Sequence, residues 1–122
     1  MNIALWIVQV LVGGFFVYHL TLMYRPPANP RSGMRYMRDM SPRLRIFAGT
    51  AEGLAGLALI FAGLVHPISG LVPLAGAGLV VLMLGAIVFH VRRREYPNLG
   101  LNAVLLVLAG FIAYGRWFLS PL

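Results

Sequence analysis

The stretch at residues 43–65, RLRIFAGTAEGLAGLALIFAGLV, decides how the rest of the chain folds. Two arginines open it, and the apolar run that follows contains a single charge, Glu52, set among glycines and alanines. Gly49, Gly56 and Gly63 recur every seven residues, so they share one helix face and allow a neighbouring backbone to approach closely. Glu52 follows Gly49 by three residues and precedes Gly56 by four, which places it on the same face. We therefore expect its carboxylate to point into a bundle of helices.

The composition is that of a membrane protein. Of the 122 residues, 60% are hydrophobic and 11% are charged, whereas ordinary soluble domains carry about 25% charged residues. At this length one domain, residues 1–122, is the expected organisation. The chain has no cysteine, which excludes disulfides, thiolate metal sites and covalent attachment of a c-type haem.

Four apolar segments are long enough to cross a bilayer, at about residues 2–24, 44–65, 71–91 and 98–118. The first measures about 34 Å as a helix, against a hydrocarbon layer of about 30 Å. It lacks a basic start and a small-residue cleavage site, which favours a retained span over a secretion signal. Ser41 and Pro42 are typical of a helix N-cap and first turn. The sequence thus predicts an all-α integral membrane four-helix bundle.

The charge pattern predicts the orientation of this bundle. All ten basic residues are arginines, and six of them flank or occupy the basic loop at residues 25–43 and the helix start after it. Three more follow the third span, and the second connection has none. The positive-inside rule places both basic connections in the cytoplasm and both termini on the extracytoplasmic side, with Arg116 reaching to the outer interface. It also explains the net charge of +7, so we expect no nucleic-acid partner.

Within the basic loop, the segment SGMRYMRDMS at residues 32–41 has two interpretations. It forms either a short interfacial helix or an unstructured basic loop. As a helix it carries Met34 and Met37 on one side, and its opposite side faces the lipid headgroups with Arg31, Arg35 and Arg38.

Polar residues of all four spans fall in the cytoplasmic half of the predicted bundle. Glu52 lies roughly 13 Å below its helix start and His19 roughly 8 Å from its helix end. A buried charge is costly, whereas hydrogen bonds between spans contribute only about 0.6 kcal/mol each. This favours a ligand or proton site, although a purely structural polar layer stays open. The candidate ligand-binding residues are Glu52, His19, His90, Asn102, Thr50 and Tyr18.

Other chemistry finds less support in the sequence. His19 and His90 have the residue type needed to ligate a b-type haem, but their predicted depths differ by about four residues. We expect no metal site, and the chain has no nucleotide-binding or serine-hydrolase motif.

Two segments resemble the DoxX-like family. SPRLRIFAGTAEGLAGLALIFAGL, residues 41–64, is similar to its second-span signature, in which a proline and a basic residue precede a glycine and then a glutamate. GAIVFHVRRREYPNLGLNAVLLVLAGFIAYGR, residues 85–116, resembles its segment from the third span to the fourth. In the first span the family usually has a glycine and then a lysine, where this chain offers His19 and Met23. The matching positions of the two segments are Pro42, Arg43, Gly49, Glu52, His90, Arg92, Arg93, Arg94, Asn102 and Arg116.

The resemblance implies a small four-span protein of the bacterial inner membrane, in a family linked to membrane redox systems that include a quinone-reducing complex. We therefore expect an accessory or binding subunit that holds a lipophilic molecule, quinone-like or lipid, or a partner at the polar layer. A homodimer or a membrane redox partner fits this role. Two alternatives stay open. One is a dimeric proton-coupled transporter of small molecules, and the other is an intramembrane isomerase with Glu52 and His19 as acid and base.

Overall fold

The computed structural model describes residues 1–28 and 34–122, and within these ranges the chain is helical, with no strand. Four long helices and one short helix form the bundle, in the order α1 Asn2–Tyr24, α2 Tyr36–Asp39, α3 Pro42–Phe61, α4 Leu71–Arg92 and α5 Pro97–Tyr114. The four long helices are long and apolar enough to cross a membrane, as predicted. The segment at residues 34–40 contains the helix α2, while Arg31 and its two successors lie outside the described residues.

Two local signals position the ends of these helices. The Ser41 hydroxyl accepts a hydrogen bond from the Leu44 backbone N–H at 3.2 Å, which confirms the predicted N-cap of α3. After α4, Arg94 adopts a left-handed conformation with φ of 57°. The backbone N–H of Glu95 then donates to the His90 carbonyl at 2.9 Å, which turns the chain back over the end of α4. This turn brings the Glu95 side chain to His90.

The glycine face of α3 packs against α1, as the heptad spacing predicts. A Cβ atom added to Gly56 would lie 2.7 Å from the Gly13 carbonyl oxygen, and one added to Gly49 would lie 2.7 Å from the Met23 Cβ. Neither space admits a methyl group, so the two backbones approach as closely as glycine allows. Glu52 lies on this face and is buried, with 6% of its surface exposed.

The two ends of the bundle are distinct. Asp39, before α3, accepts a hydrogen bond from Arg93, after α4, at 2.7 Å, so the two basic connections meet at one end. At the other end the Arg116 side chain donates to Asn2 at 2.7 Å and to the Ser120 carbonyl at 2.9 Å, which brings the two termini together.

Arg116 is buried at the end of the bundle where the termini meet. Its side chain is 2% exposed, lies over the Trp6 ring at 5.4 Å and donates through Nε to the Gln9 side chain. Gln9 in turn donates to the Leu59 carbonyl at 2.8 Å. A guanidinium that finds several acceptors inside the bundle has less need to reach water. The half of the bundle near the termini therefore contains a polar network that the sequence did not reveal.

The packing of α1 on α3 predicts opposite effects for two glycine substitutions. Gly56→Ala should destabilise the protein by about 1–3 kcal/mol, because the added methyl group meets backbone that cannot move aside cheaply. Gly14→Ala is the control in the facing helix, since an added Cβ there meets nothing within 4 Å and alanine favours helix. Thermal unfolding in detergent measures both, and equal midpoints for the two variants would contradict the close approach.

Candidate functional site

A cavity of about 780 Å³ lies among the four long helices at the end where the basic connections meet. Ligand pockets commonly measure about 300–1,000 Å³. Most of its wall is apolar, with aromatic rings from three helices and methionines from the segment before α3. The principal rings and methionines are Phe15, Phe16, Phe47, Phe89, Met34, Met37 and Met40.

A continuous chain of three polar side chains forms part of this wall. His19 of α1 contacts Glu52 of α3 through Nδ1, at 2.7 Å from Oε2. Its other ring nitrogen, Nε2, lies 2.8 Å from the Tyr36 hydroxyl of α2. The His19 and Glu52 side chains are 14% and 7% exposed, so little water competes for these contacts. Three helices thus meet at one imidazole.

The chemistry of these groups gives the chain a direction. When Glu52 is ionised it can only accept, so Nδ1–H of a neutral His19 donates to the carboxylate. Nε2 is then free to accept a hydrogen bond from the Tyr36 hydroxyl. Burial is the main cause that raises the pKa of Tyr36 above its ordinary value, and the negative charges of Glu52 and Glu95 raise it further. The phenol therefore keeps its proton at physiological pH.

The position of Tyr36 depends on how α2 is held over the cavity. Met37 beside it is buried, with 1% of its surface exposed, and anchors α2 against the bundle. Arg38 fixes the opposite side of α2, because its guanidinium donates to the backbone carbonyls of Pro27 at 2.8 Å and Pro26 at 3.2 Å. These contacts make α2 a cap on the cavity.

A second polar cluster lies next to Tyr36. The edge of the His90 ring meets the Tyr36 ring at 4.7 Å between centroids. Nδ1 of His90 lies 3.0 Å from a Glu95 oxygen, which also accepts from Arg93 Nε at 2.8 Å. Burial acts to raise the pKa of Glu95, but the hydrogen bonds and charges of Arg93 and His90 outweigh it, and the pKa is lowered. The charges of this cluster are therefore largely compensated within it.

Asn102 of α5 completes the polar part of the wall. It is 8% exposed and lines the cavity, and within the described residues its amide nitrogen has no hydrogen-bond partner. Leaving a buried donor unpaired costs about 1–3 kcal/mol. The nitrogen is itself covered by the protein, so an acceptor in the cavity reaches it only when the Asn102 side chain turns toward the cavity.

The structure gathers most of the residues that the sequence singled out. Glu52, His19, His90 and Asn102 line the cavity together, and Tyr18 lies at its rim with 59% of its surface exposed. Thr50 does not line it. The Thr50 hydroxyl instead lies 2.6 Å from the Tyr24 hydroxyl.

The sequence analysis missed three residues of the site, namely Tyr36, Glu95 and Asn98. No periodicity in the sequence marks Tyr36, because its role depends on how a short loop helix folds over the bundle. The Tyr36 ring lies beside the imidazole rings of both His19 and His90. Within residues 1–28 and 34–122, no group of three histidine, cysteine or acidic side chains is arranged to hold a metal ion.

Comparison with known proteins gives one match. The model of the DoxX-like family matches residues 7–112, which is most of the chain. No curated protein and no solved structure matches the chain.

The charges around Glu95 predict a pH-dependent contribution to stability. Because its pKa lies below the ordinary value of 4.5, Glu95 stabilises the folded protein above that pH and loses this effect as the pH falls through its lowered pKa. Glu95→Gln should therefore reduce stability by about 1 kcal/mol at neutral pH, and the difference from the parent should shrink toward pH 3. Thermal unfolding in detergent across this pH range tests it. A difference that stays constant down to pH 3 would contradict the proposed charge pairing.

Proposed function

The chain belongs to the DoxX-like family and is a small integral membrane protein, and we propose that it is a binding subunit that holds a lipophilic, quinone-like molecule in the cavity. The observation that carries this proposal is the combination of a large apolar cavity with an unpaired amide, Asn102, on its wall. An apolar volume alone suits any acyl chain. A polar group without a partner favours a ligand that brings an acceptor to it.

The route into the cavity also supports a lipid-soluble ligand. Several side chains line the cavity and are at the same time exposed on the outer surface of the long helices. In a bilayer these helix faces lie against acyl chains, so a molecule dissolved in the membrane can reach the cavity without crossing water. The exposed lining residues are Tyr18, Phe47, Val81, Val88 and Leu101.

The polar groups in the cavity match a ring that carries oxygen atoms. The Asn102 amide offers a donor to a carbonyl oxygen. The Tyr36 oxygen, whose proton is directed to His19, has lone pairs left to accept from a hydroxyl group. Aromatic and methionine side chains between them suit a flat ring. A quinone that also carries a hydroxyl group has this combination, whereas a phospholipid tail has none of the polar part.

Orientation in the inner membrane follows from the arginines. The positive-inside rule places the two basic connections, and hence the cavity, on the cytoplasmic side and both termini outside. The proposed ligand then lies in the half of the membrane nearest the cytoplasm.

Retention of a ligand by the purified protein tests the binding role. Native mass spectrometry of protein extracted with its own lipids should show a bound mass of quinone size, and titration with a short-chain quinone should give saturable binding. Asn102→Leu should weaken this binding about tenfold, because about 1.4 kcal/mol of hydrogen bonding is lost. Thr50→Val is the matched control, as it removes a polar group outside the cavity.

Equal quinone binding by the parent and Asn102→Leu would contradict the assigned donor. Retention of phospholipid alone, with no saturable quinone binding, would contradict the proposed ligand class. The same spectra count the subunits, which separates a monomer from a homodimer or a complex with a redox partner.

The absence of cysteine makes the proposed orientation easy to test. Tyr96→Cys, in the connection between α4 and α5, and His66→Cys, in the turn before α4, each create one thiol at an exposed position. In intact cells an impermeant maleimide should label His66→Cys, and Tyr96→Cys should be labelled only after the membrane is broken. The reverse pattern would contradict the orientation.

A further inference from the structure

We propose that Tyr36, His19 and Glu52 form a proton relay that accepts the proton of a hydroxyl group on the molecule in the cavity. The proposal rests on the binding function proposed above and adds a reaction to it, reversible proton transfer. It also narrows the ligand to lipophilic molecules with an acidic hydroxyl group, such as phenols and enols.

The geometry of the three residues supports a relay. Both links are short, at 2.7 Å between His19 and Glu52 and 2.8 Å between His19 and Tyr36. Each side of the imidazole therefore has a partner suited to receive or supply a proton. Tyr36, His19 and Glu52 all line the cavity, and the Glu52 side chain is buried, with 7% of its surface exposed. The hydrogen bonds run in order from the Tyr36 hydroxyl through His19 to this buried base.

The step balances without any other reactant. The ligand O–H donates its proton to the Tyr36 oxygen as the Tyr36 proton passes to His19 Nε2. The ligand is left as an oxyanion, and His19 becomes an imidazolium whose Nδ1–H remains bonded to the Glu52 carboxylate. No net charge is gained or lost, and the reverse transfers restore the starting state. The unpaired Asn102 amide can donate to the oxyanion once its side chain turns toward the cavity.

Each residue has a separate task in this step. Glu52 stabilises the imidazolium, which would otherwise be an unpaired charge in a largely buried place. Tyr36 holds its own proton firmly, because burial and the nearby carboxylates raise its pKa, so it passes a proton on only as it receives another. Tyr36 is the residue that touches the ligand, and His19 and Glu52 act through it.

The other charged groups near the relay are one paired cluster and two arginines, Arg92 and Arg45. Arg92 lines the cavity, and Arg45 donates to the Met37 carbonyl at 3.5 Å. The His90 ring contacts Tyr36, but His90 is bonded to Glu95, which also binds Arg93. Arg93 in turn binds Asp39. Among the described residues, Glu52 is the acidic group in direct contact with His19.

An absorbing probe tests the relay directly. An alkyl-substituted nitrophenol, whose phenolate has its own absorption band, is titrated with pH in detergent micelles with and without the protein. Bound to the parent protein, the probe should ionise at a pH about one unit or more below its value in micelles alone. Tyr36→Phe and His19→Gln should abolish this shift while the probe still binds in equilibrium dialysis. Tyr114→Phe is the control, because it removes an exposed tyrosine hydroxyl outside the cavity and should leave the shift unchanged.

The results separate the relay from the binding site. A probe that binds the parent without any shift would overturn the relay and leave the proposed binding function standing. A probe that does not bind the parent would also overturn the relay, while the quinone titration decides the binding function separately. A shift that survives in Tyr36→Phe and His19→Gln would also overturn the relay, whereas its loss in either variant with binding retained would support it.

Discussion

The contact between Glu52 and His19 is the interaction on which the rest of the structure depends. A carboxylate among apolar helices must have a partner, and the only way to supply one from another helix is to bring that helix close. The glycines of α3 make this possible, since a methyl group at Gly56 would strike the Gly13 carbonyl oxygen. The packing of α1 on α3 and the polar contacts of the cavity therefore both depend on the close approach of these two helices. A residue that separates the helices also separates the acid from its base.

Both ends of the bundle contain buried polar side chains, but these are arranged differently at each end. At the end with the termini, Arg116 is buried and donates through Nε and Nη1 to Gln9, Asn2 and a backbone carbonyl, so these polar groups link the ends of the first and last long helices. At the other end, the polar groups hold α2 across the opening, and a cavity remains beneath it. The left-handed turn at Arg94 contributes to this second arrangement, because it returns Glu95 to His90. Local backbone geometry thus helps to shape the wall next to Tyr36.

The sequence predicted what depends on a single helix and missed what depends on how helices meet. Length and hydropathy gave the four spans, and glycine spacing gave the face on which Glu52 lies. Depth in the membrane alone did not show whether Thr50 lines the cavity. Thr50 and Glu52 are two residues apart on one helix, so their side chains point about 200° apart, and Thr50 faces Tyr24. Tyr36 could not be found, since its place follows from the fold of a loop helix. The contact of Arg116 with Gln9 could not be predicted, because the two residues come from distant spans.

The position of the polar groups within an apolar cavity has a consequence for selectivity. A plain acyl chain can fill such a volume, but it leaves the Asn102 amide unpaired, at a cost of about 1–3 kcal/mol. A molecule of similar size with a matched oxygen avoids this cost, which corresponds to a preference of roughly tenfold to a hundredfold over the acyl chain. Membrane lipids are present in large excess over any minor lipophilic molecule. One amide alone therefore gives a modest advantage against them, and the Tyr36 hydroxyl on the same wall supplies the second oxygen contact that such discrimination needs.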